Sequence, residues 1–174
     1  MEKYEVGVLM KKFIVIILVF FSLYGITYLF FPFSPYLLKP EISYTSTEKH
    51  VEEYTQLYHS LDNAGNSTFR SIVYTTGQGW AMEREKVNIS MKELFIIKSY
   101  LTDTTRKLEN LQRNPQSDFI IHNIEKNLEA AIDSIEIVAS NQWSSRKQIE
   151  DVLTNIRNET YKALENLKEY SLVN

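Results

Sequence analysis

Cysteine is absent from this chain of 174 residues. That absence removes disulfides, thiol nucleophiles, iron–sulfur ligation and cysteine-based zinc sites, and it rules out lipid attachment at a cysteine. The fold must hold by packing alone. Histidine is scarce as well, with three residues: His50, His59 and His122. Asp118, His122 and Glu125 fall on one face of a helix at 4-3 spacing, but one face supplies too few ligands. No Glu-x-x-His pair recurs on another helix to complete such a set. His50 and His59 share no ligand geometry and read as surface residues.

Catalytic signatures are missing too. There is no G-x-S-x-G, no H-E-x-x-H and no Walker loop, and Gly77-x-Gly79 lacks both the third glycine and the preceding strand of a dinucleotide loop. The acid pairs Glu52-Glu53 and Glu150-Asp151 sit on helices, where adjacent side chains point apart. No catalytic, cofactor-binding or metal-ligating residue is assigned, and the chain is read as a non-enzyme without a cofactor. Excess charge of one sign is also lacking: 19 basic against 22 acidic side chains leave a net charge of −3. Such a balance excludes the basic footprint of a nucleic-acid binder and disfavours purely electrostatic docking on anionic lipid. The N-x-S/T triplets at Asn66, Asn88 and Asn158 are no more than an Asn-, Ser- and Thr-rich sequence yields by chance.

What is present begins with residues 13–31, FIVIILVFFSLYGITYLFF, an uncharged run preceded by Lys11 and Lys12. As a helix it is about 28 Å long, close to the hydrocarbon thickness of a bilayer. Pro32 ends it, because the residue before a proline is pushed out of the helical region. Lys3, Lys11 and Lys12 precede the run and only Lys39 and Lys49 follow closely, so the N-terminus is expected in the cytoplasm and the C-terminus outside. The run exceeds an ordinary signal-peptide core and no A-x-A-like site follows it, so an uncleaved anchor is expected. Met10-Lys11-Lys12-Phe13 itself reads as a compact export start, which makes Met10 the expected initiator. Phe21, Tyr24, Tyr28 and Phe31 share one face of the span. Three of them lie in its outer half, as an interfacial aromatic belt would, whereas a stripe for a partner span is the functional alternative. With no charge and no G-x-x-x-G, no ion path, proton relay or close helix dimer is expected.

Three of the four prolines fall between residues 32 and 40. They predict an extended, stiff stem whose interleaved Tyr36, Leu37 and Leu38 lie at the headgroups. Helical seams follow. Thr45-x-x-Glu48 has capping-box spacing, and Val51, Tyr54, Tyr58 and Leu61 form a stripe over residues 46–62. Residues 68–80 are ambiguous; Phe69, Ile72, Val73 and Thr76 favour a short helix, since a lone strand has no visible partner. Val87, Leu94, Leu101 and Leu108 recur every seven residues, with Ser90 and Thr104 as polar interruptions, and Asn114-Pro115 stops that helix. Ser117 is read as the N-cap of the next, carrying Ile121, Ile124, Leu128, Ala131, Ile135 and Val138. The last starts near Ser144 or Ser145 and carries Ile149, Leu153, Ile156, Thr160, Ala163, Leu167 and Tyr170. Glu159–Lys162 and Glu165–Lys168 support it at i, i+3.

The expected fold is all-α: a single N-terminal transmembrane helix plus an extracytoplasmic antiparallel helical bundle of three to four long helices. The expected organisation is a short cytoplasmic N-terminus (1–12), the transmembrane helix (13–31), a Pro-rich juxtamembrane stem (32–44) and the helical domain (45–174). Trp80 and Trp143 stand at turns, where each either plugs an end of the core or anchors a partner. The composition, rich in Ile, Lys and Asn, suits a bacterial envelope protein. The expected function is a membrane-anchored, non-enzymatic interaction module, an accessory or regulatory subunit of a membrane or envelope complex. Its expected partners are the bilayer, through residues 13–31, and a protein of the membrane or envelope, with self-association allowed and nucleic acid excluded. A small-ligand sensor acting through a partner is the alternative, and an envelope enzyme the minor one.

Overall fold

A computed structural model describes residues 2–62, 65–77, 86–141 and 143–174. Most of these are helical. In chain order the described elements are α1 (Glu2–Phe30), β1 (Glu41–Tyr44), α2 (Glu48–Asp62), α3 (Ser67–Thr76), β2 (Val87–Ser90), α4 (Met91–Leu108), α5 (Pro115–Ala139) and α6 (Arg146–Val173). Within α1, Met10–Phe30 is long and apolar enough to cross a membrane, with 21 residues and a mean hydropathy of 2.5, and none of that stretch is buried in the protein. A membrane anchor and a signal sequence share this form. The helix runs on through Lys12 and Lys11 to Glu2 instead of ending at the expected boundary of the span.

The core lies among α2 to α6. Along α5, Ile121, Ile124, Leu128, Ala131, Ile135 and Val138 are fully buried. They face Ile149, Leu153, Ile156, Ala163, Leu164 and Leu167 of α6, which are equally withdrawn from water. The two helices run antiparallel. Asn155 of α6 donates to the Ser134 hydroxyl at 2.6 Å, and at the other end Asn114 donates to the Asn174 side chain at 3.0 Å. Helix α4 packs on α5, α3 packs on α4, and α2 covers α3 and α6. The expected stripe on α2 is inside, with Val51, Tyr54 and Leu61 buried, as are Phe69, Ile72, Val73 and Thr76 of α3. Of the two acid–base pairs expected on α6, Glu159–Lys162 closes at 2.7 Å.

Two polar residues, read as a seam interruption and a helix stop, are N-caps. Ser90 ends β2 and caps α4, accepting from the Glu93 N–H while the Glu93 carboxylate accepts from the Ser90 N–H. Consequently Val87 lies in a strand and α4 begins at Met91. Asn114 caps α5 and Pro115 occupies its first turn, where a missing N–H costs nothing, so the helix starts before Ser117. Ser145 caps α6 with Gln148 as its reciprocal partner, at the expected place. The start of α2 falls after Thr47, whose hydroxyl lies 2.6 Å from His50 Nδ1, and the expected box at Thr45 and Glu48 gives way to it. Between α2 and α3 the chain turns at Gly65, whose φ of 66° favours a residue without Cβ.

Among the described residues, one two-stranded ribbon departs from all-α. β1 and β2 pair antiparallel, with Ile42 opposite Ile89 and Tyr44 opposite Val87. Ile42 and Ile89 are buried, so the ribbon presents one apolar face to the core. The stem departs as well. Residues 31–40 form compact turns in which Ser34 N–H donates to the Phe31 carbonyl at 2.9 Å and Leu37 N–H to the Ser34 carbonyl at 3.1 Å. Phe33, Ser34 and Leu37 are buried against protein, so the stem is folded onto the domain and is not an extended spacer. The reason is hydrophobic: burying Phe33 and Leu37 gains about 1.5–3 kcal/mol each, more than a proline-stiffened extended chain offers.

Leu128 tests the central seam. Leu128→Ala is expected to destabilise the chain by about 2–5 kcal/mol through lost burial and a residual cavity, read as a lower thermal midpoint of the full chain in detergent micelles. A midpoint unchanged from wild type would show that the α5–α6 seam is not where stability resides.

Candidate functional site at the junction of the apolar helix and the helical domain

The turn between α5 and α6 is built from its own polar side chains. Asn141 Oδ1 accepts from the Trp143 N–H at 3.0 Å, and the Ser144 hydroxyl donates to the Asn141 carbonyl at 2.8 Å. These bonds hold the Trp143 ring outward, where it remains 47% exposed. Its neighbours come from far away in sequence. Phe31 meets the indole edge-on with ring centroids 5.6 Å apart, and Tyr36 of the stem lies tilted at 5.7 Å.

Arg146, the first residue of α6, reaches the end of α1. Its Nε donates to the Leu29 carbonyl at 2.9 Å and a terminal nitrogen donates to the Tyr28 carbonyl at 3.4 Å. The last carbonyls of a helix lack intrahelical donors and carry the negative end of its dipole, so a guanidinium is the favoured group there. A third tie is the Leu38 N–H, which donates to the Tyr24 hydroxyl at 3.4 Å. Of the four residues on the aromatic face of α1, Tyr24, Tyr28 and Phe31 therefore take part in this junction, Tyr28 through its backbone. Phe21 stays exposed and apart. Trp80 lies outside the described residues. Arg146 and Tyr36 carry no sequence signal for this role, since their partners are set by tertiary folding.

A second feature is a cleft of about 390 Å³ between α2 and α6, lined by His50, Glu53, Tyr54, Arg157, Lys162 and Glu165 among others. Arg157 is only 6% exposed. It donates to the Tyr44 hydroxyl at 3.0 Å and to Asn158 Oδ1 at 3.4 Å, and no carboxylate among the described residues pairs with it. Through Tyr44 it ties β1 to α6. Tyr161 also lines the cleft, and burial, followed by the nearby Glu165 and Glu53 charges, raises its phenol pKa above the ordinary value.

The Asp118, His122 and Glu125 face is occupied by an arginine. Arg113 donates to Asp118 at 2.7 Å and to Glu125 at 3.3 Å, and its pKa is raised chiefly by the bond to Asp118. His122 stands 3.9 Å from Glu125. Among the described residues no three acidic or imidazole side chains converge as metal ligands. The three Asn of the N-x-S/T triplets have local partners: Asn66 caps α3, Asn88 accepts from Ser43 across the ribbon, and Asn158 accepts from Arg157.

Comparison with known proteins returns nothing: no family model, no curated protein and no solved structure matches the chain.

Arg146→Ala removes both bonds to the end of α1. Hydrogen–deuterium exchange of the full chain in micelles is expected to speed up for peptides covering residues 27–38 while α5 stays protected. Unchanged exchange in 27–38 would show that the guanidinium does not hold the junction.

Proposed function

We propose that this chain is a membrane-anchored, non-enzymatic helical interaction module, an accessory or regulatory subunit of a membrane or envelope complex. In this reading α1 is a retained span with its N-terminus in the cytoplasm, and residues 45–174 form an antiparallel helical bundle on the outer side. Retention is supported by the junction: the last turn of α1 is bonded to Arg146 and the following residues are folded into the domain, as befits an anchor more than a leader.

The observation that carries the interaction reading is the outer face of α4. Phe95, Ile96 and Tyr100 are exposed there, on the side opposite Leu94, Ile97 and Leu101 of the core. Three large apolar side chains within two turns of a helix that already buries another face are a surface that a partner would cover. A photo-crosslinking residue at Tyr100 of the full-length protein in intact cells is expected to give one discrete heterologous adduct, and the same residue at the exposed Glu129 none. The absence of any adduct at Tyr100, or identical patterns at both sites, would count against a partner on α4.

The cleft favours a second reading, a small-ligand sensor. A buried guanidinium without a carboxylate costs free energy that a ligand carboxylate would offset, and Glu53, Glu159 and Glu165 of the same lining would take a cationic group. An amino acid that raises the thermal midpoint of the full chain in micelles, with the rise lost in Arg157→Met, is the expected sign. A panel of free amino acids with no effect removes this reading.

A further inference from the structure

We propose that Tyr36, Leu38 and Trp143 form a collar embedded in the lipid interface, so that the helical domain sits directly on the bilayer and does not stand off on a tether. This rests on α1 being a retained membrane span. The occupant is the interfacial layer of the lipid itself.

Height is the first argument. The carbonyls of Tyr28 and Leu29 lie within one helical turn of the end of the apolar run, and a turn rises about 5.4 Å. Arg146 is bonded to both, and the Trp143 ring is in contact with Phe31, the residue that follows the helix. Groups fixed to the last turn of a span stand where the span ends, at the level of the headgroups. Trp143 and the start of α6 are therefore placed there by contacts within the protein.

Chemistry is the second. Leu38 is 94% exposed and Tyr36 74% exposed, while their neighbours Phe33 and Leu37 are buried. The stem thus divides its apolar residues between the core and the outside. The turns pinned at Ser34 and Leu37, together with the Leu38–Tyr24 bond, hold Tyr36 and Leu38 outward. Indole and phenol rings carry an apolar body and a polar edge, which is the combination enriched at membrane interfaces. Charge plays a small part. Lys39 is exposed but already bridged to Glu41 at 3.0 Å, and the chain as a whole is slightly acidic, so the seat is aromatic and not electrostatic.

The consequence is orientation. β1 follows the seated stem and pairs with β2, which leads directly into α4. The exposed face at Phe95, Ile96 and Tyr100 is then held at a fixed height and angle near the membrane, where a partner's own span would deliver a matching surface.

Tryptophan quenching by brominated lipid tests the collar. The full chain is reconstituted in phosphatidylcholine vesicles whose acyl chains carry bromine either near the glycerol or near the methyl end. The Trp143 signal is the difference between wild type and Trp143→Phe, which leaves Trp80 in place. Bromine near the glycerol is expected to cut that signal about twofold, with a smaller effect from the methyl end, as for an interfacial indole. Little quenching by aqueous acrylamide should accompany it. In Tyr36→Asp with Leu38→Asp, two exposed positions, the lipid quenching is expected to fall and the acrylamide quenching to rise. A Trp143 signal indifferent to both bromolipids and open to acrylamide overturns the collar. A separate variant, Ile17→Trp with Trp143→Phe, reports the span through the signal it gains over Trp143→Phe alone. Deep quenching there with none at Trp143 sinks the collar alone, whereas no quenching at position 17 sinks the span and the collar with it.

Discussion

Packing between α5 and α6 is the constraint on which the other elements depend. In a chain without cysteine, no covalent staple shares the work, and each fully buried Ile or Leu along this interface contributes about 1.5–3 kcal/mol. Ala131 and Ala163, both fully buried, let the two backbones approach. Both helices start at reciprocal caps, Asn114 with Ser117 and Ser145 with Gln148, so the place where each begins is fixed as well as the seam between them. Once α5 and α6 are paired, the turn between them has one place to go. That turn carries Trp143 and delivers Arg146 to the end of α1.

The stem shows how prolines mislead when read alone. They fix φ and withdraw N–H donors, which suits an extended spacer, but the same properties suit tight turns. What decides is the residues between them. Phe33 and Leu37 find a core to enter, and the donors that remain at Ser34 and Leu37 find carbonyls three residues back. Beyond Pro40 the chain pairs as β1, and the Tyr44 hydroxyl accepts from the buried Arg157 of α6. The apolar helix is thereby joined to the helical domain on two sides, through the stem and through the α5–α6 turn.

Much of the helical pattern is legible from residue spacing, because long 3-4 rows leave little freedom. The helices α5 and α6 are 25 and 28 residues long, and every position of their expected rows is buried, together with Ile120, Ser134, Arg157 and Leu164, which the rows do not include. Legibility fails where one residue type serves two purposes. Ser90 and Asn114 look like a flaw in a seam and a helix stop, yet a hydroxyl or amide that breaks a helix also caps one. Val87 fits a heptad by count but belongs to β2, four residues too short to display a period of their own. Its partner strand lies far upstream, and such pairings leave no local trace. The junction is hidden for the same reason. Trp143 is recognisable as a turn residue, whereas Phe31 and Tyr36 are its neighbours only through the tertiary fold. Arg113, which fills the face of Asp118 and Glu125, likewise reaches them across a turn.

The junction and the proposed seat reinforce one another physically. A guanidinium bonded to carbonyls in open water gains little, because water competes for both groups. At a membrane interface the competition is weaker and the local dielectric lower, so the Arg146 bonds to Tyr28 and Leu29 strengthen. In return, a firm junction would hold Trp143 at the depth that the proposed collar requires, where an indole gains most. Linkage makes this coupling reciprocal: whatever the bilayer adds to the junction, the junction adds to insertion of the collar. A domain seated in this way gives up the rotational freedom of a tether before any partner arrives. Less entropy is then left to lose on association, and a modest apolar face such as that of α4 can suffice for binding within the plane of a membrane.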